Sequence, residues 1–311
     1  MKICSLLPSA TEIVCAIGLQ DQLVGISHVC DYPLALATGE AQVVTKRSSD
    51  LTNLSSKSID EVIKSNRENH IATQIVDGDL LREVQPDLII TQELCYVCAV
   101  EYGAVCDLTS GILNYQPKIL SLRPAGVQDI LGNILAIAEA CDRLPHGEKL
   151  VNSLKKRIKF ISDKLAQKPE LHLPKTFCID WLEPLRNTGQ WIPELIEMAG
   201  GNEGLAEKHG KSREVCWEEV ISYDPDFIFS MPCAFPMAEV ETSTAIALAE
   251  VAEFKTITAA QMEGVYLFDG QVPSRHGPRF IDVLENFAEL LHPELFKGLA
   301  DPKLYVKFNG L

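Results

Sequence analysis

Apolar residues along this chain recur with two periods, one typical of buried strands and one typical of helices. Short, mostly apolar runs at residues 2–7, 23–29 and 118–122 are bounded by Pro, Gly or polar residues, as expected for strands buried within a sheet. Between these runs, apolar residues spaced three and four apart predict amphipathic helices. Strands that alternate with helices predict a parallel sheet covered by helices on both sides.

The N-terminal segment shows this alternation most clearly. Pro8 ends the first apolar run, and Ser9 and Glu12 then have the spacing of a helix capping box. The apolar positions that follow predict a helix that ends at Gly18, because glycine readily adopts the left-handed conformation found at helix ends.

The middle of the chain carries a helix signal over residues 126–166, interrupted only at CDRLPHG (141–147). The second half of this segment predicts a helix about 30 Å long at ~1.5 Å per residue. After residue 175 the strand and helix order of the first part returns: LREVQPDLIITQ at 81–92 is echoed by WEEVISYDPDFIFSMP at 217–232.

This echo predicts an α/β fold with two Rossmann-like lobes joined by a long rigid helix, and a ligand cleft between the lobes. We place the N-terminal lobe at residues 1–124, the helical linker at 125–168 and the C-terminal lobe at 169–311.

Composition and charge exclude several classes of partner. The 311 residues include 28 Lys and Arg against 43 Asp and Glu, a formal charge of −15. Such an acidic surface repels phosphate backbones and anionic lipids, so nucleic acid is not an expected partner. No apolar run approaches the length of a membrane span, so we expect no membrane insertion. We also expect a monomer.

The ten cysteines and the N-terminus bear on localisation. Cys4 and Cys178 lie within apolar runs, and the cysteines are scattered rather than closely spaced. This distribution is typical of reduced core thiols. The first residues lack the long apolar region of an export signal. The sequence therefore predicts a cytoplasmic protein; the alternative is a periplasmic protein whose signal was removed before the numbering began.

Aromatic residues cluster where the predicted strands end. Ligands of parallel sheets gather at the carboxyl ends of the strands, and flat conjugated ligands bind through stacking and burial of area. Core packing is the alternative role for the tryptophans, and a solvated loop charge is the alternative for the arginine. The predicted ligand-binding residues are Tyr32, Glu93, Tyr96, Trp181, Glu183, Trp191, Phe235 and Arg275.

Histidine and cysteine also lie at two of these strand ends. His28 and Cys30 follow one strand, and Cys95 and Cys98 follow another. Together they could supply the four nitrogen and sulfur ligands that zinc prefers. Three interpretations of the Cys95/Cys98 pair stay open: packing or free thiols, a metal site (zinc, iron or the metal of the ligand), and a redox pair.

Signatures of catalysis are missing from the motifs. PSAT follows the first strand where a dinucleotide-binding protein would have a glycine-rich loop, and there is no phosphate-binding loop and no G-x-S-x-G elbow. We therefore predict a binding protein rather than an enzyme, with no catalytic residues.

These segments together resemble a known family. The chain is similar to the cobalamin-binding proteins of ABC importers, and more closely to a branch that lacks an export signal, over roughly residues 2–292. The segments that carry the resemblance are SLLPSATEIVCAIGL, GISHVCDYP, QPDLIITQ, WLEP, GQWIPELIEMAGGN and SRHGPR.

The resemblance implies two α/β lobes braced by a rigid helix, with a corrinoid held in the cleft. It implies that Tyr32 lies on the ligand side of the first lobe, that Trp181 and Glu183 lie on the facing lobe, and that Arg275 lies at its rim.

The resemblance also implies that Asp79 and Glu197 pair with arginines of an ABC permease. The alternative for both residues is an ordinary surface acid.

The predicted function is therefore a soluble binding protein for cobalamin or a related corrinoid, linked to ABC-type uptake. One alternative is a metal or metal-chelate binding protein that uses the His/Cys cluster. The other is a corrinoid-handling redox enzyme that uses the Cys95/Cys98 pair.

Overall fold

The computed structural model describes residues 1–34, 36, 39–93, 100 and 102–310. These residues form two compact α/β units. Unit 1 comprises residues 1–53, 61–124 and 128–153; unit 2 comprises residues 54–60, 125–127 and 154–311. Among the described residues, no helix combines the length and apolar character needed to cross a bilayer.

Unit 1 contains a five-stranded sheet in which every described pairing is parallel, in the order β3-β2-β1-β6-β7. A separate antiparallel pair is formed by β4 and β5. The strands are β1 (Ile3–Ser5), β2 (Leu23–Ile26), β3 (Gln42–Val43), β4 (Thr45–Arg47), β5 (Gln74–Val76), β6 (Leu88–Gln92) and β7 (Lys118–Leu122).

The helices of the first half of the chain lie between these strands, or after the last of them, in the sequence. A 3₁₀ turn lies at Gln20–Gln22. The α-helices are α1 (Pro8–Ala16), α2 (Ser56–Glu68), α3 (Gly78–Val84), α4 (Tyr102–Ile112), α5 (Val127–Ala140) and α6 (Leu144–Ala166).

The predicted capping box of α1 is wrong. The helix begins at Pro8 with Leu7 as its N-cap residue, and no side chain caps it. Proline is well suited to the first helical position because it has no N–H to satisfy there. Ser9 and Glu12 therefore lie inside the helix, where both are buried. The predicted end is confirmed, since Gly18 follows the helix with a φ of 78°.

Unit 2 contains a six-stranded mixed sheet in the order β10-β8-β11-β12-β13, with β9 paired to β8. Pairings of β8 with β10 and β11, and of β11 with β12, are parallel; β9 and β13 are antiparallel to their neighbours. The strands are β8 (Lys175–Leu182), β9 (Leu185–Asn187), β10 (Asn202–Glu203), β11 (Phe227–Ser230), β12 (Val265–Phe268) and β13 (Tyr305–Lys307).

The remaining helices belong to unit 2. A further 3₁₀ turn lies at Phe254–Thr256. The α-helices are α7 (Ile192–Met198), α8 (Trp217–Tyr223), α9 (Met237–Ala249), α10 (Thr258–Gln261), α11 (Phe280–Leu291) and α12 (Pro293–Phe296).

The echo between the two halves has a physical basis in the Pro-Asp turns. In each unit the helix before the turn ends in a left-handed residue, Gln85 or Asp224, with φ of 50° and 49°. The aspartate after the proline then accepts the backbone N–H at the entry to the unit's first strand, at 2.7 Å for Asp87 and 2.8 Å for Asp226. The turn thus aligns β6 beside β1 and β11 beside β8, which confirms the α/β prediction in both units.

Candidate functional site

Trp181 is held at the end of β8 by two backbone carbonyls. Its indole N–H donates to the carbonyl oxygen of Ser56 at 3.2 Å and to that of Glu183 at 3.1 Å. The ring also meets the ring of Phe235 edge-on, with centroids 5.2 Å apart. Trp181 lies within β8, one residue before its end, in agreement with its predicted place at the end of a strand. Two hydrogen bonds and one ring contact therefore determine the orientation of the indole.

An apolar cluster lies behind the Trp181 ring. Its buried members are Phe235, Val240 and Leu267, and Trp181 and Ile59 pack against it as partly buried side chains. Phe235 is only 7% exposed, so it supports the indole ring from within the unit. A flat ligand would contact the part of the indole that this cluster leaves uncovered.

A charged pair lies next to this aromatic group. Glu183 is exposed and its carboxylate lies 3.2 Å from the ammonium group of Lys57. Ser56 and Lys57 come from the segment 54–60, which belongs to unit 2 although the residues before and after it belong to unit 1. Sequence analysis missed this segment because Ser56 acts through its backbone carbonyl, which leaves no signal in the side-chain pattern.

Trp191 occupies a different environment. It is 3% exposed, its N–H donates to the carbonyl of Pro273 at 3.0 Å, and its ring lies edge-on to His276 at 5.8 Å. This position favours the packing role over a direct ligand contact. Because Pro273 lies in the loop between β12 and α11 that also carries Arg275, this hydrogen bond positions that loop. Arg275 itself is partly buried.

His276, the neighbour of Arg275, is buried and neutral. Burial lowers its pKa to about 4, against the opposing effect of a backbone hydrogen bond. A protonated imidazole would be costly in this position, so protonation of His276 would destabilise this loop.

In unit 1, a network of hydroxyl groups surrounds His28 and Cys30 just past β2. His28 Nδ1 lies 2.8 Å from Thr45 Oγ1, and that hydroxyl donates to Ser27 Oγ at 3.0 Å. Cys30 Sγ lies 3.1 Å from Thr11 Oγ1. Burial, and to a smaller extent the charge of Arg47, lowers the pKa of His28. Sequence analysis singled out His28 and Cys30 but could not identify Thr45, which lies on a separate strand.

The other predicted residues of unit 1 are placed as follows. Tyr32 is 43% exposed, and Glu93 forms an ion pair with Arg123 at the ends of β6 and β7. Tyr96, Cys95 and Cys98 lie outside the described residues, so the role of the cysteine pair stays a prediction. Within the described ranges, no group of three or more His, Cys, Asp or Glu side chains is arranged to hold a metal ion.

The two carboxylates predicted to meet a permease are both exposed. The Asp79 side chain is 92% exposed in the first turn of α3 and pairs with Arg82 at 2.7 Å. The Glu197 side chain is 60% exposed near the end of α7 and pairs with Lys208. One lies in each unit.

Comparison with known proteins identifies the class to which this fold belongs. The model of the periplasmic binding protein family matches residues 3–272, and the chain belongs to that family. Members of this family are substrate-binding proteins, which agrees with the prediction of a binding protein.

Two curated relatives match nearly the whole chain. One is an uncharacterized ABC transporter substrate-binding lipoprotein, YvrC of Bacillus subtilis, 23% identical over 300 residues that cover 95% of this chain and 81% of the relative. The other is a vitamin B12-binding protein of Vibrio cholerae, 22% identical over 290 residues that cover 93% of this chain and 88% of the relative.

A solved structure shares the fold. A periplasmic heme-binding protein from Pseudomonas aeruginosa superposes with a TM-score of 0.69 at 16% identity, covering 94% of this chain and 93% of that protein. At 16% sequence identity, this structural similarity shows a shared fold and says nothing about the ligand.

These comparisons show that the predicted cytoplasmic localisation is wrong. The family is that of periplasmic binding proteins and one relative is a lipoprotein, so the findings indicate a location outside the cytoplasm. The distribution of the cysteines does not indicate the compartment, for a physical reason. Cys4 and Cys178 are fully buried, and packing protects such thiols from oxidation in any compartment.

Proposed function

We propose that this protein binds cobalamin or a related corrinoid and delivers it to an ABC permease. The observation that carries the proposal is the hydrogen bonding of the Trp181 indole N–H within the protein. Because both carbonyl partners of its N–H belong to the protein, what the indole offers a ligand is its apolar surface. Such a surface suits a broad conjugated ring better than a small polar solute.

The remaining predicted contacts fit a macrocycle that carries polar groups on its edge. Burial of one aromatic side chain contributes roughly 1.5–3 kcal/mol, so Trp181 alone would account for only part of a tight affinity. The Arg275 guanidinium and the exposed Glu183 would hydrogen-bond to the peripheral amides and determine the orientation of the ring. We propose Tyr32, Glu93 and Tyr96 as further ligand contacts from unit 1.

The curated relatives support a corrinoid among the ligands that this fold can hold. The Vibrio cholerae relative is named a vitamin B12-binding protein, and it matches across 93% of this chain. A match of that extent includes the segments that carry Tyr32, Trp181 and Arg275.

Asp79 and Glu197 are proposed as permease contacts. Both carboxylates are exposed and each is already paired with a basic side chain of its own unit. Surface pairs of this kind contribute little to stability, roughly 0–1 kcal/mol, so a permease arginine could replace the partner at small cost.

The proposal is tested by mixing the protein with hydroxocobalamin and following the visible spectrum through gel filtration. We expect a shifted spectrum that elutes with the protein. Heme is the competitor in a parallel titration by calorimetry. Binding of heme with no measurable binding of any corrinoid would overturn the proposal.

A further inference from the structure

The hydroxyl of Thr45 determines which nitrogen of His28 carries the proton. Thr45 Oγ1 donates its proton to Ser27 Oγ at 3.0 Å, so toward His28 it can only accept. It accepts the backbone N–H of His28 at 3.0 Å and lies 2.8 Å from the ring atom Nδ1. Nδ1 is therefore the protonated nitrogen, and Nε2 carries the lone pair.

The Nε2 atom is a buried acceptor that no described residue satisfies. It is enclosed, and within the described part of the chain it has no hydrogen-bond partner. Most buried polar atoms have a partner, and an unpaired one costs free energy. The group that would satisfy Nε2 is a hydrogen-bond donor or a Lewis acid.

The surroundings of His28 favour a Lewis acid. Metal-binding histidines typically donate their other ring N–H to an oxygen of the protein, which sets the tautomer and the ring orientation. Thr45 supplies that oxygen here, and Ser27 in turn orients Thr45. The neutral imidazole is the form that binds metals, and in this tautomer its lone pair is on Nε2.

The position of His28 links it to the proposed ligand. It follows β2 by two residues and precedes the exposed Tyr32 by four. Leu34, in the same segment, is 83% exposed. Exposed aromatic and apolar side chains therefore follow within six residues of a histidine whose Nε2 has no hydrogen-bond donor among the described residues.

Building on the proposed corrinoid function, we propose that Nε2 of His28 coordinates the cobalt of the bound corrinoid. The Nε2 lone pair forms the bond to cobalt, the water molecule on that axial face of cobalt leaves, and no electron is transferred. Because Nε2 is enclosed, the side chains around it must shift when the bond forms. Thr45 and Ser27 act as positioning residues that hold the imidazole in the tautomer whose lone pair is on Nε2.

The test uses cobinamide, a corrinoid without a nucleotide base of its own, so that any axial nitrogen comes from the protein. The untagged protein is loaded with aquacobinamide in phosphate buffer, reduced to the cobalt(II) state with dithionite and examined by EPR. We expect each cobalt line to split into a triplet, and into a doublet when the protein is labelled with nitrogen-15 histidine.

Variants assign the splitting to one residue. His28→Ala and His28→Gln should lose it, whereas His172→Ala, at a side chain that is 81% exposed in unit 2, should keep it. We expect His28→Ala to weaken aquacobinamide binding roughly tenfold. Dicyanocobinamide, whose axial positions are both occupied, should bind the wild type and the variant alike.

Three results would overturn the inference, and they are distinguishable. Bound cobinamide without nitrogen splitting in the wild type excludes coordination but leaves the corrinoid function standing. Splitting that persists in both His28 variants assigns the bond to another residue. If neither cobinamide nor cobalamin binds, the proposed function fails and the inference fails with it. The isotope experiment needs no variant, so a variant that does not fold leaves the test intact.

Discussion

The indole ring of Trp181 and the phenyl ring of Phe235 meet edge-on, with centroids 5.2 Å apart and planes inclined at 68°. The two residues lie in different segments of unit 2, since Trp181 is near the end of the strand β8 and Phe235 is in the segment that precedes α9. Phe235 is buried and Trp181 is partly exposed. An edge-on pair of this kind contributes about 0.5–1.5 kcal/mol beyond its buried area, which stiffens the ring that the ligand is proposed to meet.

Replacing Trp181 tests the ligand face directly. We expect Trp181→Ala to weaken cobalamin binding at least tenfold, about 1.4 kcal/mol, as measured by titration calorimetry. Trp217→Ala is the matched control, because Trp217 packs on Phe254 in a separate cluster of the same unit. An unchanged affinity in Trp181→Ala would exclude this face as the site.

Two glycines around α5 should respond oppositely to alanine. A Cβ at Gly126 would lie 2.5 Å from His209 Nε2 and 2.7 Å from Glu194 Oε2, and that carboxylate accepts the N–H of Val127 at the start of the helix. Gly126→Ala should therefore destabilise the fold by about 1–2 kcal/mol, since it displaces this cap.

Gly132, inside the same helix, has open space at its Cβ position. Gly132→Ala should stabilise the protein by up to about 1 kcal/mol through helix propensity. Urea denaturation measures both variants; a destabilised Gly132→Ala or a neutral Gly126→Ala would contradict the packing described here.

Arg157 ties α6 to α11 within unit 2. Its guanidinium donates to Glu285 at 2.5 and 2.7 Å and to Asp282 at 2.6 Å. Arg157→Ala leaves two partly buried carboxylates without their cation, and we expect a loss of about 1–3 kcal/mol in the free energy of unfolding. Lys159→Ala, which breaks an exposed pair with Asp163, should cost about 0.5 kcal/mol or less. Equal losses in the two variants would contradict this ranking.

Because of Glu203, the free energy of unfolding should fall as the pH rises toward 8. Burial raises its pKa to about 8 from an ordinary 4.5, although hydrogen bonds from Leu205 and Cys178 oppose the shift. Between these two values the unfolded chain is ionised and the folded chain holds the proton. Folding therefore takes up a proton, and stability falls by up to about 1.4 kcal/mol per pH unit.

Between pH 6.5 and 8, the effect of Glu203 on stability can be measured without the opposing effect of His276. His276, with its pKa lowered to about 4 from 6.5, acts in the opposite direction, but only below pH 6.5. Glu203→Gln keeps an oxygen for the N–H of Cys178, which Glu203 accepts at 2.8 Å, and should flatten the decline. The measurement is the urea midpoint at several pH values; the same slope in wild type and variant would refute the assignment.

Charge reversal at Asp79 and Glu197 tests delivery of the corrinoid to the permease separately from binding of the corrinoid. Asp79→Lys and Glu197→Lys should leave corrinoid affinity unchanged within about twofold, because neither residue lies near Trp181 in the sequence or belongs to its cluster. In cells that depend on this protein for corrinoid uptake, both variants should abolish uptake. Glu241→Lys, at another exposed acid, is the control. Normal uptake with both reversals would remove the permease assignment.

The sequence by itself determined the class of fold and its main alternation of strands and helices, whereas the short strands β3, β4, β5, β9, β10 and β13 were not predicted. Apolar runs identify strands, and the strand at Lys118–Leu122 lies where the pattern predicted it, although at the edge of the sheet it is only partly buried. The Pro-Asp echo also identified the internal similarity of the two units, because the same local chemistry ends a helix and begins a strand in each. Local patterns of this kind survive folding because they act over a few residues.

Only the tertiary structure decided the surroundings of the predicted site residues. Trp181 and Trp191 look alike in sequence, yet one is held at a surface by the Ser56 carbonyl, 125 residues away, and the other is buried beneath the loop of Arg275. Likewise, the tautomer of His28 depends on Thr45, on a strand outside its own sheet. Backbone carbonyls and long-range hydroxyl contacts carry no periodic signal, so their partners are defined only when the chain is folded.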